Sequence, residues 1–72
     1  MLNFMQHKQI NRLKAVLADN NKTNKWLAER LHKSETTISR WCTNEVQPSL
    51  DTLTHIAELL RIDIKELLNS SK

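Results

Sequence analysis

Apolar residues recur at intervals of three and four along most of the chain, which is the spacing of one face of an α-helix. The pattern predicts five helices separated by polar breaks, and therefore an all-α fold. The apolar positions of the five helices are, in order, Ile10, Leu13, Val16 and Leu17; Leu27, Ala28 and Leu31; Ile38, Trp41 and Cys42; Leu50, Leu53, Ile56, Ala57 and Leu60; and Ile62, Ile64, Leu67 and Leu68.

The polar breaks contain residues that start and stop helices. Thr23, Ser34 and Ser49 each stand where a hydroxyl can accept a hydrogen bond from the first helical turn. Pro48 closes a loop, because proline cannot continue the preceding helix. The chain has no glycine, which argues against many tight β-turns and leaves left-handed helix ends to other residues. Asparagine and histidine tolerate a positive φ best after glycine, so we expect helices to stop at Asn20-Asn21, His32 and Asn44.

The second and third predicted helices are joined by only three residues, His32-Lys33-Ser34. A connection this short sends the third helix off at a steep angle, as in a helix-turn-helix. Ala28 faces inward midway along the second helix, where a small side chain allows close crossing. The outward face of the third helix is mostly small and polar, and such a face can enter the major groove of DNA, about 12 Å wide. It consists of Glu35, Thr36, Ser39, Arg40 and Thr43.

Charge is distributed unevenly along the chain. Residues 1–34 carry a net charge of +5 and residues 35–72 a net charge of −2, for a total of +3. A one-sided basic distribution indicates an anionic partner, nucleic acid before a membrane surface, with a solvated basic face as the alternative. Lys22, Lys25 and Lys33 cluster around the second helix and the turn, where they can meet a DNA backbone.

Size and composition exclude several other classes. A chain of 72 residues is one domain, with its core at about 9–68 between a short N-terminal arm and a C-terminal tail. We expect no enzyme, because the chain is short and no phosphate-binding or nucleophile motif is present. The single cysteine and three histidines lack metal-ligand spacing, so we expect no metal or cofactor. Without a signal-peptide or membrane-spanning run we expect a cytoplasmic protein.

At the predicted helix-turn-helix the sequence resembles the Cro/repressor-type (XRE) family of DNA-binding domains. The similarity covers about residues 9–68 and implies a compact five-helix repressor-like domain. The motifs that carry it are Leu27-Ala28-Glu29-Arg30-Leu31, Ser34, Thr37-Ile38-Ser39-Arg40, Pro48-Ser49-Leu50-Asp51-Thr52-Leu53 and Ile62-Asp63-Ile64-Lys65-Glu66-Leu67-Leu68.

The resemblance implies a sequence-specific regulator of transcription, expected to be a repressor, that binds double-stranded DNA as a homodimer on paired half-sites. It assigns base reading to Glu35, Thr36, Ser39 and Arg40. It assigns contacts with the DNA backbone to Thr23, Asn24, Lys25, Lys33, Thr37, Thr43 and Asn44. Asn24 is also expected to brace the first turn of the third helix. The surplus of apolar residues in the fifth helix predicts a dimer surface there and on part of the fourth, although core packing explains those residues equally well.

Three positions depart from the family pattern. The turn has His32-Lys33 in place of glycine and an apolar residue, for which we expect a strain of roughly 1 kcal/mol. The loop after the third helix has Glu45 and Val46 where basic residues are common. Glu35 places a carboxylate on the recognition face, where it either accepts from a cytosine amine or only stabilises the helix N-terminus.

Other interpretations of the same residues stay open. Arg40 can read guanine or contact a phosphate, and the helix-turn-helix can be a protein-interaction module that uses the third helix on a protein partner. A regulator of its own operon, as in toxin–antitoxin or restriction-control systems, is a further alternative. We expect Trp26 and Trp41 to be packing residues and Cys42 to be a small core residue.

Overall fold

The computed structural model describes residues 9–69, and over this range the chain forms four α-helices. They are α1 (Leu13–Asp19), α2 (Asn24–Leu31), α3 (Glu35–Cys42) and α4 (Leu50–Leu60). The all-helical prediction is therefore confirmed for these residues, and none of their helices is long and apolar enough to cross a membrane. The predicted arm before residue 9 and the tail from residue 70 lie outside the described range.

The predicted fifth helix is not an α-helix. Ile64–Leu67 forms a single 3₁₀ turn, which begins after Asp63, whose carboxylate accepts from Lys65 N–H at 2.9 Å. It stops at Leu68, which is extended and makes a β-bridge with Asn11. With four residues between the cap and the bridge there is room for one tight turn only.

All three predicted hydroxyl caps are confirmed. Thr23, Ser34 and Ser49 each accept a hydrogen bond from the N–H three residues later, at N···O distances of 3.0, 3.1 and 3.1 Å. Each bond satisfies one of the N–H groups that the first turn of a helix leaves without an intrahelical partner. The starts of α2, α3 and α4 are therefore determined by residues within one turn of each boundary.

Each α-helix is followed, one or two positions after its last residue, by a left-handed residue that is not glycine. The four residues are Asn21, His32, Asn44 and Arg61, with φ between 58° and 65°. After each one, the next N–H donates to the carbonyl five positions earlier at 2.8–3.0 Å, which is the Schellman arrangement. The asparagine and histidine positions were predicted from the sequence. Arg61 was not, because arginine has no special tolerance for this conformation.

Replacing Arg61 with glycine is expected to raise the free energy of unfolding by roughly 0.5–1 kcal/mol, since a left-handed residue with a Cβ is strained. Urea denaturation followed by circular dichroism measures the change. Asn21→Gly is the matched control and should gain less, because asparagine tolerates the conformation better. A loss of stability in Arg61→Gly would mean that the arginine side chain contributes more than its backbone strain costs.

One core holds the helices together. Its buried apolar residues are Leu13, Val16, Leu17, Leu27, Ala28, Ile38, Trp41, Leu53, Ile56, Ala57, Leu60 and Leu67. Three residues predicted to join the helical stripes do not: Ile10, Leu50 and Leu68 are 43%, 67% and 38% exposed. Ile10 precedes α1 instead of forming its first turn, and Leu50 is the first residue of α4 at the edge of its apolar stripe.

The segment before α1 runs beside the end of the described chain. Arg12 N–H donates to the Leu67 carbonyl and Asn69 N–H donates to the Ile10 carbonyl, both at 2.8 Å. Because this pairing is only a few residues long, it has no alternating pattern that would reveal it in the sequence. It brings both ends of the described range to one side of the fold.

Candidate nucleic-acid interface

The α2–turn–α3 unit forms where the sequence predicts it. His32 takes a left-handed conformation (φ 58°, ψ 44°), and the following Lys33 N–H donates to the Ala28 carbonyl at 2.9 Å. This turn lets α3 leave α2 at once and pack against it. Ala28 is buried as expected for a small residue at a helix crossing, together with Ile38 on α3. The crossing fixes which face of α3 remains outside.

The outer face of α3 carries the residues predicted to read bases. At about 100° per residue, Glu35, Thr36, Ser39, Arg40 and Thr43 span about 140° of the helix circumference. All five are exposed. Within residues 9–69, no hydrogen bond involves the side chains of the first four. These four side chains are thus accessible and available to an external partner.

Charges on this face agree with the direction of the helix. Glu35 lies in the first turn of α3 and Arg40 in the last, where an anion and a cation are each favoured by the helix dipole. The acidic side chain therefore stabilises α3 even before any base is contacted. Beyond the helix, Glu45 and Val46 are exposed in the loop, so this side of the surface lacks the basic residues common in the family.

The cations of α2 divide into two groups. Lys25 and the turn residue Lys33 are exposed, and their side chains make no hydrogen bond within the described range. Lys22 and Arg30 instead lie over the ring of Trp26, at 4.7 and 5.4 Å from its centroid, within cation–π range. Trp26 is half-buried against the core, which agrees with its prediction as a packing residue.

Asn24 braces the opposite end of α3 from the one expected. Its Oδ1 accepts from Cys42 Sγ at 3.6 Å, so the contact is with the last turn of α3 and not the first. Burial raises the pKa of the Cys42 thiol, although nearby Lys14 opposes the shift. The thiol therefore keeps the proton that it donates, and the Nδ2 of Asn24 makes no hydrogen bond within the described range.

The threonines assigned to the DNA backbone differ in how free their hydroxyls are. Thr23 Oγ1 accepts from the backbone, so its own proton remains available to a phosphate. Thr37 is half-buried, and its hydroxyl lies 3.0 Å from that of Ser34. Thr43 donates to the Arg40 carbonyl at 3.2 Å and would exchange that bond for one to phosphate.

Asn44 does not lie on this surface, contrary to expectation. Its side chain is 5% exposed, and its Oδ1 accepts from the backbone N–H groups of Ile10 and Asn11 at 2.9 and 2.8 Å. Its own N–H donates to the Trp41 carbonyl at 3.0 Å. Neither group is free, so Asn44 cannot make the predicted phosphate contact in this fold.

Sequence reasoning missed Asn11 and Gln47, which surround Asn44. Asn11 is 2% exposed, and its Oδ1 accepts from Leu13 N–H at 2.9 Å at the start of α1. That local hydrogen bond, two residues long, has a detectable signal, an asparagine just before an apolar helical pattern. The contact between Asn11 and Gln47 joins residues 36 positions apart, and no local pattern indicates it.

Comparison with known proteins places this arrangement among DNA-binding domains. The family model described as the Cro/C1-type HTH DNA-binding domain matches residues 12–72, which include all four α-helices. The crystal structure of a candidate DNA-binding protein from Bacteroides fragilis matches with a TM-score of 0.82 and 58% sequence identity. The match covers 83% of this chain and 97% of that chain. None of the curated protein sequences matches significantly.

Proposed function

This chain belongs to the Cro/C1-type helix-turn-helix DNA-binding family, and from that premise we propose that it regulates transcription by reading a specific duplex sequence. In this proposal α3 enters the major groove. A helix about 10–12 Å in diameter fits a groove about 12 Å wide. The observation that carries the proposal is the outer face of α3, where the side chains of the four base-reading candidates are exposed and make no hydrogen bond within the described residues.

The side chains on that face have complementary capabilities. Arg40 carries paired donors that suit the O6 and N7 acceptors of guanine, the commonest specific contact in the major groove. Glu35 accepts hydrogen bonds only, so the base edge that suits it is the amine of cytosine. Thr36 and Ser39 can both donate and accept, and they add contacts near the two charged readers. The four together favour a mixed site containing at least one G·C pair.

Contacts with the DNA backbone set the register of α3 on the duplex. We assign them to the cations Lys25 and Lys33, the hydroxyls of Thr23, Thr37 and Thr43, and the free Nδ2 of Asn24. The two lysines supply positive charge, and the neutral hydroxyl and amide groups supply hydrogen bonds with a defined direction.

We also propose that the protein acts as a homodimer and represses by occupying its site. The apolar residues Ile10 and Leu68 both remain exposed, one on each of the two paired segments that join the ends of the described range. Two copies bound to paired half-sites would place their α3 helices about one helical turn of DNA apart. Regulation of this kind takes place in the cytoplasm, where a single reduced cysteine is stable.

Replacing both Lys25 and Lys33 with alanine should flatten the salt dependence of binding to a mixed-sequence duplex. Each lost phosphate contact lowers the slope of log affinity against log salt by about 0.9, so the double variant should lose about 1.8. Fluorescence anisotropy at four salt concentrations gives the slope. Lys65→Ala, which removes one cation from the 3₁₀ turn and outside the proposed interface, is the control and should leave the slope unchanged. Equal slopes in the double variant and the control would show that these two lysines do not contact the DNA phosphates.

A protein partner on the same face is the second candidate function. The observation that favours it is the exposure of Glu45, Val46 and Leu50 in the loop after α3 and at the start of α4. Acidic and apolar groups together suit a protein surface better than a phosphate backbone. The same titration separates the two functions, since a protein-interaction module would show no salt-dependent binding to duplex DNA.

A further inference from the structure

Three buried or half-buried side-chain amides connect the end of α3 to the start of the described chain. We call Asn11, Asn44 and Gln47 the amide network. Asn44 follows the last turn of α3, Gln47 lies in the loop before α4, and Asn11 stands before α1. Within the described residues, no buried side-chain nitrogen or oxygen atom lacks a hydrogen-bond partner, so the network is fully satisfied.

Asn44 is the centre of the network. Its Oδ1 accepts three hydrogen bonds, from Ile10 N–H at 2.9 Å, Asn11 N–H at 2.8 Å and Gln47 Nε2 at 3.0 Å. Its Nδ2 donates to the Asn11 carbonyl at 3.1 Å and to Gln9 Oε1 at 3.3 Å. One side chain therefore holds the backbone of residues 10 and 11 against the end of α3.

Asn11 completes the connection from the other side. Its Nδ2 donates to the Trp41 carbonyl at 3.0 Å and to Gln47 Oε1 at 2.8 Å. The Trp41 carbonyl, in the last turn of α3, also accepts from the Asn44 N–H at 3.0 Å. Because two residues of the network donate to this one carbonyl, the position of Asn11 and the position of the last turn of α3 depend on each other.

The network lies next to the residues that contact DNA in the proposed function. Arg40 is four residues before Asn44, and its carbonyl accepts from Glu45 N–H at 2.9 Å and from the Thr43 hydroxyl at 3.2 Å. The loop that begins at Asn44 thus closes back onto the turn that presents Arg40. A shift of that loop would move Arg40 relative to the groove.

We propose that Asn44 and Asn11 are positioning residues for sequence discrimination: they fix the last turn of α3 so that Arg40 meets its base in one orientation. This inference rests on the proposed function. A paired contact to guanine requires fixed geometry, whereas lysine contacts to phosphates tolerate small displacements because the side chain is long and flexible. Disturbing the network should therefore reduce discrimination between sequences more than it reduces affinity for DNA in general.

The experiment compares Asn44→Gly with the wild type on two duplexes, the preferred site and a mixed sequence, at one salt concentration. Glycine adopts the left-handed conformation of Asn44 freely, so the substitution removes the amide and keeps the turn. Affinity for the preferred site should fall about tenfold, within the range set by one lost bidentate base contact. Affinity for the mixed sequence should stay within about twofold, because the phosphate contacts remain.

Two further variants keep the result interpretable. Ile56→Val removes a methylene from the buried face of α4, away from the network. It should leave the ratio of the affinity for the preferred site to the affinity for the mixed sequence unchanged, even where it lowers the stability of the fold. Gln47→Ala removes the network bonds of one half-buried residue and should lower the ratio less than Asn44→Gly does. It substitutes for Asn44→Gly if circular dichroism shows that variant to be unfolded.

If Asn44→Gly and Gln47→Ala show the same ratio of the two affinities as Ile56→Val, the inference is overturned, because the network would then contribute stability alone. A wild-type protein that binds both duplexes equally would overturn the proposed function itself. The wild-type measurement therefore distinguishes the two failures.

Discussion

Replacing Ile38 with alanine is expected to lower the free energy of unfolding by about 2–5 kcal/mol. Ile38 is fully buried on the inner face of α3, and alanine would leave a cavity where α3 packs on the rest of the fold. A chain of this size has a total stability of only about 4–11 kcal/mol. Urea denaturation followed by fluorescence of the buried Trp41 measures the loss directly.

Ile38→Val is the matched control for this prediction. It removes one methylene and keeps the β-branched shape, so the expected cost is about 0.5–1.5 kcal/mol. If Ile38→Ala lowers the free energy of unfolding no more than Ile38→Val does, the surrounding helices collapse into the space left by the side chain. In that case the helix-turn-helix would not depend on this contact for its geometry.

Replacing Arg40 with alanine is expected to weaken binding to the preferred site by about 1–3 kcal/mol and to relax the base requirement at one position. The reason is the loss of paired donors to a guanine edge while the rest of α3 stays in place. Fluorescence anisotropy on the preferred site gives the loss in affinity. Duplexes substituted singly at each position show which position has lost its preference.

Arg30→Ala is the control for Arg40→Ala. It removes the same formal charge from the exposed side of α2, where Arg30 lies over the Trp26 ring. It should change the preference at no position. If Arg40→Ala instead weakens binding equally on every sequence, Arg40 contacts a phosphate and the base reading belongs to other residues of α3.

If α3 enters the major groove as proposed, the charges of the surface predict that the two DNA strands are held differently. Lys25 and Lys33 provide cations on the α2 side, whereas the loop after α3 offers Glu45 and no basic residue. The strand near α2 would be bound through charge, and the strand near the loop through neutral donors such as Thr43. Such an interface has a modest salt dependence and relies more on base contacts for its affinity.

Much of the fold was predictable because its boundaries are determined locally. The capping roles of Thr23, Ser34 and Ser49 depend on a hydroxyl and an N–H three residues away. The left-handed positions of Asn21 and His32 follow from the tolerance of these residue types in a chain without glycine. The helix-turn-helix and the exposed face of α3 follow from these boundaries together with helical periodicity, and the family match agrees with the resemblance.

What the sequence did not predict depends on distant contacts. Asn44 was assigned to the DNA backbone from the family resemblance, yet its side chain bonds residues more than 30 positions away. Arg61 adopts a left-handed conformation because the chain must turn after α4, although its residue type gives no sign of it. Leu68 pairs with Asn11 across the fold, and this pairing is what limits the predicted fifth helix to one 3₁₀ turn.

The most direct measurement is selection of bound sequences from a random duplex library with the wild-type protein. If α3 reads bases, the selected pool should contain one short motif with a G·C pair. The homodimer predicts two copies of that motif centred roughly one helical turn apart. A pool that stays random after repeated rounds, while the protein still binds it, would show that the chain binds duplex DNA without reading its sequence and would contradict the proposed function.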